Sequence, residues 1–126
     1  MNQENLIFSY TRSSAIKDGS QVCVSDHFPS DTSMYKFPVY FTQEVWKLCQ
    51  QQGVIVWNIC YMAIIESEIQ KTDSSIIEYF VIVEGASRTP DLVDNSYPCY
   101  RLLAECGAKD INDPTPVITI MFPEER

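Results

Sequence analysis

Cys23 and His27 are the first residues whose types and spacing suggest chemistry, because a thiol beside an imidazole can form a nucleophilic site. His27 is the only histidine of the chain. In an extended chain, side chains four residues apart share a face but stand about 13 Å apart, so only a fold-back would join them. We interpret His27 as a surface histidine and assign no catalytic residue.

The sequence offers no convincing set of metal or cofactor ligands. One histidine and five scattered cysteines do not make a zinc site. The stretch KDINDPTP at 109–116 is rich in carboxylates, but it lacks the central Gly and distal Glu of a calcium loop and fits an Asx-type turn better. Four glycines leave no room for a phosphate-binding or dinucleotide motif. We predict neither a metal ion nor a cofactor.

Arg12 is the strongest single candidate for a special role. It follows Tyr10 and Thr11 in the stretch IFSYTRSSAIKDGSQVCVSD at 7–26, just before a predicted short helix. Its guanidinium is suited to a bidentate pair with a carboxylate, and Asp18 or Asp26 are the nearest in sequence. An internal clamp that holds this corner of the fold is the favoured interpretation. The alternative is that Tyr10 and Arg12 contact an anion or a partner protein.

Periodicity and capping signals predict the elements that must position these residues. Thr11 or Ser13 can cap the short helix, and Gly19 can end it with a positive φ. The segments 54–60 and 98–106 are each open between helix and strand, and we favour helix for the first and strand for the second. The remaining predictions are strand 20–25, loop 26–36, strand 37–42, a helix from Thr42 that Gly53 closes, strand 75–84, loop 107–116 and strand 116–123.

These elements predict an α+β fold in which residues 1–126 form a single globular domain. We expect a mainly antiparallel sheet of about four to five strands packed against two or three helices. Trp46 and Trp57 occupy apolar helical positions and are predicted to lie in the core.

Negative charge is concentrated in the second half of the chain. Residues 1–65 hold five acidic and four basic side chains, a net of −1, whereas residues 66–126 hold twelve and five, a net of −7. Such a surface repels phosphates, so direct nucleic-acid binding is disfavoured. It either keeps the protein soluble or forms a contact surface for a basic groove of a partner protein. The candidate contact residues are Glu66, Glu68, Glu78, Glu84, Asp91 and Asp94.

Cysteine usage and hydropathy favour a soluble cytoplasmic protein. The five cysteines form an odd set without a redox or metal-binding pair, so we expect reduced thiols. The longest apolar run, VIVWNICYMAII at 54–65, is shorter than the roughly 20 residues that span a bilayer. The N-terminal sequence MNQENLIFSYTR has neither the basic nor the apolar region of a signal peptide. We therefore expect no membrane association.

A series of short sequence motifs runs through the chain. An aromatic residue followed by Ser/Thr-Arg comes first, then an AI-x-DG motif and a predicted strand, and finally P-V before a Thr-capped helix that contains Trp. Together they resemble a bacterial family known only as a domain of unknown function, whose members are small proteins of plasmids, phages and other mobile elements. The matching positions are Tyr10, Thr11, Arg12, Ala15, Ile16, Asp18, Gly19, Pro38, Val39, Thr42, Val45 and Trp46.

Further similarity to this family occurs at Trp57, Met62 and GAKDINDPTPVITIMFPEER at 107–126, while 71–98 is unmatched. Asn58 stands where the family usually has an acidic residue, and Arg126 follows Glu124-Glu125 where it usually ends on Asp. The resemblance implies a mobile-element origin and brings no activity with it.

Three functional interpretations follow. The leading one is a non-enzymatic module that binds a basic protein partner, and thereby blunts a host defence or regulates transfer. The second is an enzyme or small-ligand domain of unrecognised type with a pocket near Arg12. The third is a homodimer formed through an edge strand such as 116–122.

Overall fold

The computed structural model of the protein describes residues 11–71 and 73–126, which form one six-stranded sheet and four α-helices. The predicted α+β class is confirmed, with one strand more than expected. Along the chain the elements are α1 (Arg12–Lys17), β1 (Gln21–Cys23), α2 (Val24–His27), β2 (Val39–Thr42), α3 (Gln43–Leu48), α4 (Gly53–Gln70), β3 (Ile76–Ile82), β4 (Leu92–Asp94), β5 (Tyr97–Asp110), β6 (Asp113–Met121) and a 3-10 turn (Pro123–Glu125).

The sheet is mainly antiparallel, as predicted. Its strand order is β1-β2-β6-β5-β3, and the short β4 pairs with β5. The pair β2–β6 is the one parallel pair among the described strands, with Val39 opposite Ile118 and Phe41 opposite Ile120. Because β6 lies between β2 and β5, the expectation that 116–122 forms an edge is wrong. The described sheet ends at β1 and β3, and the three-residue β4 forms a further short edge beside β5.

Helices α2, α3 and α4 cover one face of the sheet and form the main core with it. Strand residues alternate between the two faces, so Val39 and Phe41 enter this core while Tyr40 faces the other way. Helix α1 lies on that opposite face, where Arg12 stacks over the Tyr40 ring at 4.5 Å. No helix among the described residues is both long and apolar enough to cross a bilayer.

The corner around α1 forms as its sequence predicts. The Thr11 hydroxyl accepts a hydrogen bond from the Ser14 amide at 3.0 Å and caps the helix. Gly19 follows the helix with φ +81°, a conformation that glycine adopts without a steric penalty. The strand that follows is shorter than the predicted 20–25, because the chain enters α2 at Val24.

Gly53 does not end a helix, contrary to prediction, but is the first residue of α4. Helix α3 already ends at Leu48, and the left-handed residues Gln50 and Gln51 turn the chain. A Cβ at position 53 would stand 2.6 Å from Oδ2 of Asp31, so the absent side chain permits a close approach. The helix prediction for 54–70 is confirmed.

Residues 107–116 are not a loop, contrary to prediction. β5 continues to Asp110, and β6 begins at Asp113 after a tight turn. Ile118 directs its amide towards β2, so Pro116, two residues earlier, directs its nitrogen the same way. β2 pairs only with 118–120, so no described strand needs a donor at Pro116. Pro114 lies where the register between β5 and β6 shifts, an irregularity at which proline is tolerated. The favoured strand at 98–106 is confirmed and extends over Tyr97–Asp110.

Trp57 is not a core residue, although the apolar pattern predicts that it is. Trp46 is partly buried and packs against the core, whereas Trp57 is 41% exposed and stacks on Tyr61 with ring centroids 4.7 Å apart. Helix α4 carries apolar residues on all sides, so periodicity alone could not separate its buried face from its exposed one.

Phe41→Ala should reduce the free energy of unfolding by about 3–5 kcal/mol, because it leaves a cavity at the centre of the sheet. Phe37→Ala is the matched control, since Phe37 is 40% exposed, and it should cost less than half as much. Urea unfolding followed by circular dichroism measures both. Equal losses would contradict the described core.

Candidate functional site

Arg12 is an internal clamp, as favoured from the sequence. Its Nε donates to the Lys109 carbonyl at 2.5 Å, and its Nη1 donates to Oε1 of Gln21 at 2.7 Å. The predicted carboxylate partners do not take part: the Asp18 carboxylate instead accepts the Ser20 amide at 2.9 Å. Arg12 therefore joins α1 to β1 and to the end of β5. Tyr10, the other residue predicted at this site, lies outside the described residues.

Asp110 holds the beginning of α1 against the sheet. Its two carboxylate oxygens accept the backbone amides of Arg12 at 3.2 Å and Ser13 at 3.1 Å, and the Ser13 hydroxyl at 2.9 Å. It also accepts the Ile111 amide at 2.9 Å. These bonds, with that of Ile111 foremost, lower the pKa of Asp110 from 3.8 to about 2. The ionised carboxylate of Asp110 thus fixes the end of β5 to Arg12, which lies about 100 positions earlier in the chain.

An open cleft of about 320 Å³ lies beside this corner. It carries three cationic side chains, which is unusual on a chain of net charge −8. Desolvation by burial lowers the pKa of Arg12, and Tyr40 and Asp110 counteract it in that order. The lining residues are Arg12, Ser13, Ile16, Lys17, Tyr40, Lys109 and Asp110.

Cys23 and His27 do not form a pair suited to nucleophilic chemistry. The His27 ring lies 5.4 Å from the Trp46 ring. Burial raises the pKa of the Cys23 thiol, which works against the thiolate that a nucleophile requires. All five cysteines are free. Among residues 11–71 and 73–126, no three His, Cys, Asp or Glu side chains are grouped so that they could hold a metal ion.

The predicted acidic contact residues fall into two groups, one at the beginning of β3 and one divided between the end of β3 and the short β4, which lies on the other side of β5. At the beginning of β3, Gln70 Nε2 donates to Oε1 of Glu66 at 2.9 Å and to the Glu78 carbonyl at 3.2 Å. Gln70 therefore brings Glu66 beside the edge strand. Glu68 lies two residues along α4 and so points to a different side of the helix. The Glu78 carboxylate is 3.7 Å from the Arg101 guanidinium.

The second acidic group comprises Glu84, Asp91 and Asp94. Glu84 follows β3 directly, and its carbonyl accepts Gln50 Nε2 at 3.3 Å. Asp91 precedes β4, and its carboxylate accepts the Arg101 amide at 2.7 Å. Asp94 ends β4 beside a two-residue turn. Along a strand, positions 78 and 84 stand about 20 Å apart, so Glu78 and Glu84 flank the exposed part of β3. Asp91 and Asp94 lie on the other side of β5, so the acidic residues do not merge into one cluster.

The edge strand β3 is the feature that sequence reasoning missed. Its outer sheet face carries Phe80, which is 43% exposed, and Ile82, which is 52% exposed. The opposite face carries the buried Tyr79 and Val81. The signal was present in SIIEYFVIVE, where Ile77, Tyr79, Val81 and Val83 form one alternating set and the other set also contains the apolar Ile76, Phe80 and Ile82. Such a strand is either covered on both faces or exposes an apolar surface.

Comparison with known proteins gives no match: no family model, no curated protein and no solved structure matches this chain. The resemblance to the mobile-element family therefore stays a prediction.

Arg12→Met should lower the free energy of unfolding by about 2–3 kcal/mol, because it removes two charge-assisted hydrogen bonds and leaves the Lys109 carbonyl without its guanidinium donor. Lys17→Met, in the same cleft, is the control and should change stability by less than about 0.5 kcal/mol, as is usual for an exposed position. Chemical denaturation measures both, and equal effects would contradict the clamp.

Asp110→Asn should destabilise the protein in a pH-dependent way. A carboxylate whose folded pKa is depressed stabilises the fold above its unfolded pKa of 3.8, and this contribution disappears as the pH falls towards about 2. The stability difference between wild type and variant should therefore be constant from pH 7 to about 5 and shrink below that. Denaturation curves over this range measure it. An undiminished difference at pH 2 would contradict the role of the ionised carboxylate.

Proposed function

We propose that the protein is a non-enzymatic binding module whose partner is another protein with a positively charged surface. The observation that carries this proposal is the arrangement along β3: exposed Phe80 and Ile82 lie on an edge strand between Glu66 and Glu78 at its beginning and Glu84 after its end. An apolar centre with a charged rim is the usual composition of a protein interface. The edge of the sheet and its flanking acids are therefore the surface assigned to the partner.

Charge supports a cationic partner. The net charge of −7 over residues 66–126 attracts positively charged proteins and speeds their association, and the effect weakens as salt rises. Among residues 11–71 and 73–126, the ion pair at this surface joins Glu78 to Arg101, and both side chains are about half exposed. Such pairs contribute only about 0–1 kcal/mol, so a cation of the partner can compete for Glu78. The same charge disfavours direct binding of nucleic acid.

The resemblance to small mobile-element proteins suggests a setting for this binding. In such a setting, occupying the phosphate-binding groove of a host nuclease or of a transfer protein would blunt a defence or regulate transfer. The motif residues around Arg12 carry that resemblance, and they build the fold rather than the proposed contact surface. The biological role thus rests on the motif, and the binding mode rests on the β3 surface.

A second candidate function is binding of a small anionic ligand in the cleft beside Arg12. Its volume of about 320 Å³ and the nearby cations Arg12, Lys17 and Lys109 favour this alternative. The guanidinium, however, already donates to Lys109 and Gln21 and covers Tyr40. Ligand titration of wild type and Lys17→Ala, observed by NMR, distinguishes this candidate from protein binding.

Reversing charge at the β3 surface should weaken partner binding. The test variant is Glu66→Lys with Glu84→Lys, and the control is Glu44→Lys with Asp113→Lys, so that each changes the net charge from −8 to −4. A tagged pulldown from bacterial lysate at low and high salt, with mass spectrometry, identifies the partner. The affinity of the purified pair should then fall about tenfold or more for the test variant and markedly less for the control.

The proposal also requires that the recovered protein be basic and leave as salt rises. Recovery of no basic protein at either salt would overturn it. Equal weakening by the two double variants would show that total charge, and not the β3 surface, governs binding.

A further inference from the structure

We infer that a positively charged, extended segment of the partner adds to the sheet as a seventh strand along the outer edge of β3. This inference rests on the proposed function and specifies how the partner is held. The occupant is a segment of a different protein that carries Lys or Arg at alternate positions, with apolar side chains between them.

The backbone of β3 has a free row of hydrogen-bonding groups. In an antiparallel pair, alternate residues direct both backbone groups towards the neighbouring strand. In β3 these are the odd-numbered residues, since the Ser75 carbonyl accepts the Cys106 amide at 2.8 Å and the Val83 amide donates to Pro98 at 3.3 Å. The even-numbered Phe80 and Ile82 therefore direct their amides and carbonyls outward, where no described strand lies.

Two glutamines mark the limits of this free row. Gln70 donates to the Glu78 carbonyl, and Gln50 donates to the Glu84 carbonyl. Between them remain both outward groups of Phe80 and of Ile82. An added strand of about four to six residues would span this stretch at roughly 3.3 Å per residue. Main-chain pairing of this kind is a known mode of peptide recognition.

The side chains beside the row define the chemistry of the segment. On the outer sheet face, the positions opposite Phe80 and Ile82 favour apolar or long aliphatic side chains. Glu78 lies on the same face, Glu66 lies beside the edge on the α4 side, and Glu84 follows the strand. Each presents a carboxylate to a neighbouring cation. The stems of Lys or Arg can cover Phe80 while their charged ends reach these carboxylates.

A second copy of the chain is a weaker occupant. Pairing β3 with another β3 would bring together two chains of net charge −8, each with its acidic groups at this edge. The repulsion between two chains of net charge −8 opposes their association at low salt. The other edge strands of the described sheet, β1 and β4, have three residues each, so they offer little main chain for pairing. Charge complementarity thus selects β3 as the site and a cationic segment as its occupant.

Two peptides of equal length and charge test this mode at low salt. One alternates Lys and Val and can form a strand, whereas the other alternates Lys and Pro and cannot pair its backbone in the same way. The Lys-Val peptide should shift the amide resonances of residues 78–82 and slow their hydrogen exchange. It should bind at least about tenfold more tightly than the Lys-Pro peptide, a difference that strand pairing alone supplies.

A pair of variants provides the matched control on the protein. Phe80→Pro removes the outward amide but no bond to β5, while Phe80→Ala removes the ring and keeps the amide. Phe80→Pro should weaken Lys-Val binding more than Phe80→Ala does, and both should leave Lys-Pro binding almost unchanged. If Phe80→Pro does not fold, the comparison of the two peptides on wild type still decides the question.

Three other results would each contradict the addition of a partner strand to β3. Equal binding of both peptides would show attraction by charge alone, which leaves the proposed function standing. Unchanged resonances of residues 78–82 at about 1 mM Lys-Val peptide would exclude the edge as a site, and the charge-reversal variants would then decide the proposed function separately. Shifts of the same resonances with protein concentration alone would identify a second copy as the occupant.

Discussion

The parallel pairing of β2 with β6 is the interaction on which the rest of the structure depends. It joins residues 39–41 to residues 118–120 and sets the two halves of the chain side by side. The Ile118 amide donates to the Pro38 carbonyl at 2.9 Å, and the Thr42 hydroxyl donates to Glu125 at 2.8 Å, so both ends of the pair are fixed. Only with β6 in this position can β5 bring Lys109 and Asp110 to α1, and only then does β3 become the outer strand.

Sequence signals predicted an element correctly where the contacts that form it lie within the same short segment. Thr11, Asp18 and Gly19 lie within one short segment, and the helix cap and stop that they predict are both present. The helix predicted over 54–70 and the strand predicted at 75–84 are both present, although the pattern of the helix did not reveal that Trp57 is exposed.

Sequence reasoning failed where a distant neighbour decides the outcome. Gly53 has the type of a helix stop, but Asp31 gives it a different role by lying close to its α-carbon. Pro114 and Pro116 indicated a loop, but the short length of β2 leaves Pro116 without a neighbour that needs its amide, and Pro114 falls at a shift of register between β5 and β6. The partners of Arg12 could not be found among Asp18 and Asp26, because the register of β5 supplies Lys109 instead. Strand register and edge position are properties of the whole sheet, so the β3 surface was also beyond local inference.

The central position of β6 has a consequence for how the chain acquires its structure. β2 must wait for residues that are synthesised about 80 positions later, and closing so long a loop is entropically costly and slow. Until then β2 has only the three-residue β1 beside it, and the apolar residues of β2 and α4 have no complete sheet to cover them. A nascent chain stopped before residue 113 therefore exposes the apolar residues of β2 and α4. Chaperones would bind this apolar surface until β6 has been synthesised.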